Sequence, residues 1–285
     1  MKMWSLTTKL PAFVCGVLVP VAYAVVALLA PVACAQTAEV DLSSDQVVTI
    51  RADLARVNCE LMAAEAAKRH ADKPVVPYLI QVASDVAETT AMRCGALAWL
   101  GKTRDPHGVP VMEEILALTQ AKTLDPDEYS LLHGAIYALG YSGNDHALDL
   151  LFKMATRAHW EAQGSVPVCP QRKNADTQQE SLRRLRVWAS GAIAASGTER
   201  AIHAFATGEG IDEDRLRHCP FELDIAVYRK CGIERIPDKI EDLDQEAQGA
   251  YRRAWEEIEG RYGTREEIAQ RLAPTPREPA PEPQN

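Results

Sequence analysis

The sequence contains no Cys-x-x-Cys pair, no Gly-x-Ser-x-Gly elbow, no His-Glu-x-x-His and no phosphate-cradling glycine loop. Each absence removes a chemistry that depends on that spacing: a tetrahedral zinc site, an esterase nucleophile, a zinc protease, a nucleotide phosphate clamp. A basic surplus is also missing. With 31 Lys and Arg against 40 Asp and Glu, the net charge is −9. Such a body repels phosphate backbones, so nucleic-acid binding is not expected, and adhesion to anionic lipid is disfavoured.

Acidic residues are missing altogether before Glu39. That stretch opens with Lys2 and Lys9, runs apolar from Pro11 to Ala33, and ends in Ala33-Cys34-Ala35 ahead of Gln36. Small residues two apart beyond an apolar run are what a signal peptidase accepts. Residues 1–35 therefore read as an export signal cleaved after Ala35, which places the mature chain outside the cytoplasm, in the periplasm of a Gram-negative cell. An uncleaved anchor over residues 11–33 is the alternative, since that length matches the ~20 residues needed to span a bilayer; Pro11, Pro20 and Pro31 weaken such a helix. A lipid-modified Cys34 is a further variant. Cleavage removes two lysines and no acid, moving the charge from −9 to −11.

What the remaining chain does have is a recurring helical pattern. Asp125-Pro126-Asp127-Glu128 is a helix start, followed by a stripe (Leu131, Leu132, Ala135, Leu139), a break at Ser142-Gly143-Asn144, and a second stripe (Leu148, Leu151, Phe152, Ala155). Counting from Ala135, apolar residues stand at +4 (Leu139), +13 (Leu148) and +16 (Leu151). The same offsets give Leu100, Val109 and Met112 from Ala96; Ile193, Ile202 and Phe205 from Ala189; and Ala67, Val76 and Leu79 from Ala63. A two-helix hairpin cannot bury its own apolar face, so neighbours must stack to complete a core.

Asp105-Pro106-His107-Gly108-Val109-Pro110, Ser142-Gly143-Asn144-Asp145-His146-Ala147-Leu148 and Ser196-Gly197-Thr198-Glu199-Arg200-Ala201-Ile202 resemble the HEAT-like repeat family, in the short variety also found in phycobilin-lyase-type proteins. The resemblance spans roughly residues 60–208. It implies an all-α fold, an α-solenoid of about four to five helical hairpins, and a binding scaffold rather than an enzyme. No cofactor is implied.

The resulting organisation is a signal over 1–35, a linker over 36–44, helical repeats over 45–240, capping helices over 241–273 and a Pro-rich tail over 274–285. The first helix is expected to run without interruption through Ile50, Leu54, Val57, Leu61 and Ala64. The helix from Glu241 to Tyr262 places Leu243, Ala247, Tyr251, Trp255 and Ile258 on one face, as the end of a stack requires. The tail has five prolines in its twelve residues.

Candidate contact residues fall in two groups. Gln81, Glu113, Glu114, Lys153 and Arg157 are mixed-charge positions on the second helices. Trp160, Arg172 and Lys173 lie in the insertion over His159–Gln178, where the spacing between origins lengthens from 39 to 54. Insertions in repeat proteins gather on one face, often the binding face. The basic cluster suits an acidic or peptide-like partner, and the bland alternative is a solvated loop pinned by a disulfide. Five cysteines remain after cleavage, and an oxidising compartment favours bridges. Cys59 with Cys94, on successive first helices, and Cys169 with Cys219, each followed by proline, are the candidate pairs. A thiol-based redox protein using Cys231 or Cys219, and a membrane-tethered envelope protein, are the alternative functions. His107 and His146 occupy equivalent turn positions, with Arg200 in the corresponding place of the next unit; a metal site there is disfavoured because Arg is not a usual ligand.

Overall fold

The computed structural model describes residues 42–57, 60–172 and 177–273. The export segment, Cys59, Lys173, Asp176 and the Pro-rich tail lie outside the described residues. Among the described residues the protein is all-α, its one β feature an isolated bridge between Thr123 and Val168. No helix among them is long and apolar enough to cross a membrane.

Among the described residues thirteen α-helices follow in order. Helices α1 (Ser44–Leu54), α2 (Glu60–Arg69) and α3 (Val76–Ser84) precede the long α4 (Thr90–Thr103) and the short α5 (Val109–Leu116). Helix α6 (Pro126–Ser142) is followed by α7 (Asp145–Ala155) and α8 (Arg157–Gln163), and α9 (Gln178–Ser196) by α10 (Glu199–Thr207). Helices α11 (Cys219–Lys230), α12 (Gln245–Tyr262) and α13 (Arg265–Arg271) complete the body. Packing runs in one order along the chain. Helix α4 lies against α6, α6 against α9, and α9 against α11, while α3, α5, α7 and α10 each pack onto the next of these, namely α4, α6, α9 and α11. The short second helices touch one another only sparsely.

The starts of the helices follow from capping chemistry. Ser43 and Gln46 form a reciprocal box at α1, as do Asp125 and Glu128 at α6 and Thr264 and Glu267 at α13. At α9 the cap is Thr177, which accepts from the Glu180 N–H. The first predicted helix is broken in two between α1 and α2. The reason is a buried pairing: His70 Nε2 lies 2.8 Å from Asp53 Oδ2. A continuous helix would hold residues seventeen apart at about 25 Å, so the chain must fold back.

Three turns share one hydrogen-bond design. Thr103, Ser142 and Ser196 each donate a hydroxyl to the carbonyl three residues back, at Leu100, Leu139 and Ile193. Each same hydroxyl accepts the N–H two residues on, at Asp105, Asn144 and Thr198. Those residues then cap the following helical segment. The residue between hydroxyl and cap is left-handed: Gly143 at φ 61°, Gly197 at φ 63°, and Arg104 at φ 56°. Arg104 is exposed and carries the Cβ penalty that glycine avoids. Arg104→Gly should therefore raise stability by about 0.5–1 kcal/mol in a urea titration, less whatever glycine loses to unfolded-state entropy. A loss of stability would show that the arginine side chain contributes more than its backbone costs.

Of the sixteen side chains at the recurring offsets, all are buried except Ala67 and Val76, which are half-buried. The helix contacts between α4, α6 and α9 are backbone-close. A Cβ added at Gly101 would sit 2.6 Å from the Ala138 carbonyl oxygen, and one at Gly140 would sit 2.1 Å from that of Ala192. Both glycines stand five residues after their origin alanine, and both partners stand three after theirs. The same small-residue contact thus joins α4 to α6 and α6 to α9.

Candidate functional site

A cleft of about 560 Å³ opens between the α2–α3 connection, the end of α4 and the segment after α11. Its walls include Ala64, Ala67, Pro74, Val76 and Pro77 on the apolar side, with Lys73, Lys102, Asp105 and Glu234 among the polar groups. The volume lies within the range of small-molecule sites.

Behind this cleft is a buried polar chain. Asp53 on α1 is 7 % exposed and His70, at the end of α2, is 1 % exposed. The carboxylate accepts from Arg69, at 2.6 Å, and from His70 Nε2. A carboxylate can only accept, so Nε2 donates to it, and because an ammonium can only donate, Nδ1 is the acceptor for Lys73. Lys73 Nζ donates to that Nδ1 at 2.9 Å. Burial pushes the Asp53 carboxyl up, but the hydrogen bonds from His70 and Arg69 outweigh it and hold it below the usual range. The imidazole also leans on Trp99, with ring centroids 5.3 Å apart. At the opposite wall Lys102 Nζ pairs with Glu234 at 2.7 Å and lies 4.0 Å over the Tyr141 ring. Asp105 is engaged as a cap and by His107 Nδ1 at 2.7 Å.

The contact residues expected from sequence are scattered. Gln81 on α3, Glu114 on α5 and Lys153 on α7 are exposed, as is Arg157 at the start of α8. Arg157 is tied down by its N–H to Asp212 at 2.6 Å and its guanidinium to Asp214 at 3.5 Å. Glu113 is half-buried and meets His146 at 2.9 Å. The insertion departs most from expectation. Trp160 is 2 % exposed, with its indole N–H on the Met154 carbonyl at 2.8 Å, so it anchors α8 and presents nothing to a partner. Arg172 reaches back to α6, donating to Ser130 Oγ at 2.6 Å and the Pro126 carbonyl at 3.3 Å.

The equivalent turn positions have a structural use. His146 reaches Glu113 on the preceding second helix, and Arg200 reaches Asp149 on α7 at 2.5 Å. His107, the first of the three, pairs within its own turn, with Asp105. Among the described residues no group of three His, Cys, Asp or Glu is placed to hold a metal.

Cys169 and Cys219 are separate buried thiols, and the bridge between them expected from sequence is not made. Cys169 lies beside Gln171 in the loop that bridges to Thr123, whereas Cys219 opens α11 one turn before Glu222, whose carboxylate takes the Ser190 hydroxyl of α9. Cys94 is also a free thiol, its hydrogen directed at the Ser130 carbonyl across 3.6 Å. Burial pushes Cys94 up to about 11 and Cys219 up to about 12, and it raises Cys231 as well. The thiolate is the nucleophile. These three should react with a thiol reagent at pH 8 far more slowly than unfolded controls, and denaturant should restore full labelling. Rapid native labelling of Cys219 or Cys231 would revive a redox role.

No family model, curated protein or solved structure matches this chain. Any functional reading therefore rests on its own residues. Asp53, Lys73, Lys102 and Glu234 were not singled out by sequence reasoning. They come from four separated stretches with no spacing rule between them, and nothing in the sequence marks His70 out from the other six histidines.

Proposed function

We propose that the protein is an exported, non-enzymatic HEAT-like scaffold, an α-solenoid of four to five helical hairpins capped by α12 and α13, that binds an acidic peptide segment of a partner protein in the cell envelope. The support for the architecture is the shared turn chemistry and the recurring glycine–alanine contact. One observation carries the binding role. On α6, His133, Tyr137 and Tyr141 follow at intervals of four, with His133 against Trp188 of α9 (centroids 4.5 Å) and Tyr137 (4.9 Å). His133 is exposed and Tyr137 half-buried. Arg172 lies over the neighbouring Tyr129 ring at 5.9 Å, whereas Tyr141 closes the run on the buried side, under the Lys102 that pairs with Glu234. Arg172 and Arg184 also bear on His133, so this run carries a local positive field that sets it apart from the acidic body and favours an extended acidic ligand.

A photo-crosslinking residue at position 133, introduced in living cells, should trap one defined partner. The same residue at position 114 should trap it weakly or not at all. Identical and diffuse adducts from both positions would refute the assignment of this surface. Retention of residues 11–33 as an anchor is the second reading, and the mass of the mature protein separates the two, since cleavage after Ala35 removes that segment.

A further inference from the structure

We propose that the cleft beside Lys73 binds a carboxylate attached to a short apolar tail, and that Lys73 is the group that holds the charge. This site meets the aromatic run on α6 only through Lys102, which lies over the buried Tyr141, and does not depend on it. The first argument is charge accounting. Lys73 is braced by the Nδ1 of a His70 that already gives its one ring hydrogen to Asp53, so the ammonium leans on a neutral acceptor. The Asp53 charge is matched directly by Arg69 at 2.6 Å. Of the acidic groups in the cleft, Glu234 is met by Lys102 at 2.7 Å and Arg229 at 3.5 Å, and Asp105 by His107. Lys68 adds a further cation to the wall. An ammonium has three donors, and one of them is spent on His70.

The second argument is shape and polarity. The wall next to Lys73 is Ala64, Ala67, Pro74, Val76 and Pro77, which offers apolar surface and few side-chain hydrogen-bonding groups. Helix α3 begins on this wall, at Val76, and the positive end of its dipole adds to the Lys73 field. At the end of α4, where the dipole has the opposite sign, the Thr103 hydroxyl takes up the Leu100 carbonyl at 2.6 Å. A ligand with an anionic head and a few carbons behind it satisfies both walls. A neutral molecule of the same size leaves the ammonium without a counter-charge.

Two sources share this chemistry: a free short-chain acid and the C-terminus of a polypeptide ending in an apolar residue. The test uses calorimetry on the full mature chain with four probes. These are octanoate, 1-octanol, an N-acetylated tripeptide ending in valine as the free acid, and the same tripeptide as its C-terminal amide. Saturable binding of at least one acid, at least about tenfold tighter than its neutral counterpart, is expected. Lys73→Met should weaken that binding about tenfold or more, Lys73→Arg should retain most of it, and Lys122→Met, exposed in the segment before α6 and outside the cleft, should leave it unchanged. Equal thermal melting of the four proteins confirms that each is folded. Should Lys73→Met melt early, the lysine side-chain resonances of the unaltered protein give the answer, because on adding acid the Lys73 signal should move further than those of Lys68 and Lys102, the other lysines of the cleft. Binding of the peptide acid alone identifies a polypeptide terminus as the ligand, and binding of octanoate identifies a free acid. Absence of saturable binding by either acid at about 10 mM, or equal binding of acid and neutral probe, overturns the proposal.

Discussion

Gly140→Ala is expected to destabilise the protein by about 3 kcal/mol, at the upper end of overpacking costs. An added Cβ would lie 2.1 Å from the Ala192 carbonyl oxygen, 2.7 Å from its carbonyl carbon and 2.8 Å from its Cα. All three are backbone atoms, so no rotamer change relieves the clash. Helices α6 and α9 must separate, and a close-packed interior does not absorb such a shift locally. The sign is what makes the result informative. At an unconstrained position inside a helix the same substitution gains about 1 kcal/mol from propensity. Gly134, on the same helix, supplies the control: its added Cβ would meet Cys94 Sγ at 3.5 Å, an ordinary contact. Gly134→Ala should be neutral or stabilising by urea denaturation. Equal midpoints for the two variants would mean that α6 and α9 do not approach as described.

Leu139→Ala carries the second large effect. Leu139 is fully buried on α6, its side chain part of the core while its carbonyl accepts the Ser142 hydroxyl at 2.7 Å. Removing three carbons leaves the backbone bond in place but opens a cavity, at a cost of about 2–5 kcal/mol. Glu114→Ala, exposed on α5, should change stability by about 0.5 kcal/mol or less. Similar losses at the two positions would place the buried face of the helices elsewhere.

Much of the fold was legible because helical burial has a period. The offsets +4, +13 and +16 identify positions that must turn inward whatever they meet, and Leu100, Leu139 and Ile193 are all fully buried. Caps were legible for the same kind of reason, since Ser43, Asp125 and Thr264 announce their reciprocal partners three residues later. The fold-back between α1 and α2 was not. It depends on Asp53 and His70 meeting through space, and an unbroken apolar stripe from Ile50 to Ala64 conceals it. Trp160 misled because a large aromatic in a basic, irregular stretch looks like a contact residue, whereas one hydrogen bond to Met154 turns it inward. The cleft escaped for a deeper reason. Its polar residues are joined by hydrogen bonds between distant segments, and chain order contains no periodic trace of such bonds.

The pairing of Lys102 with Glu234 joins residues 132 apart in sequence. A row of helix pairs that touch only their neighbours can fray from either end, each pair melting almost independently of remote ones. Here a lysine only 9 % exposed spans from the end of α4 to the segment following α11. Two remote parts of the body are therefore coupled: loosening the segment after α11 strips a charge partner from α4, and loosening α4 does the same in return. Denaturation should consequently sweep through the helices as one cooperative event instead of unzipping them in sequence.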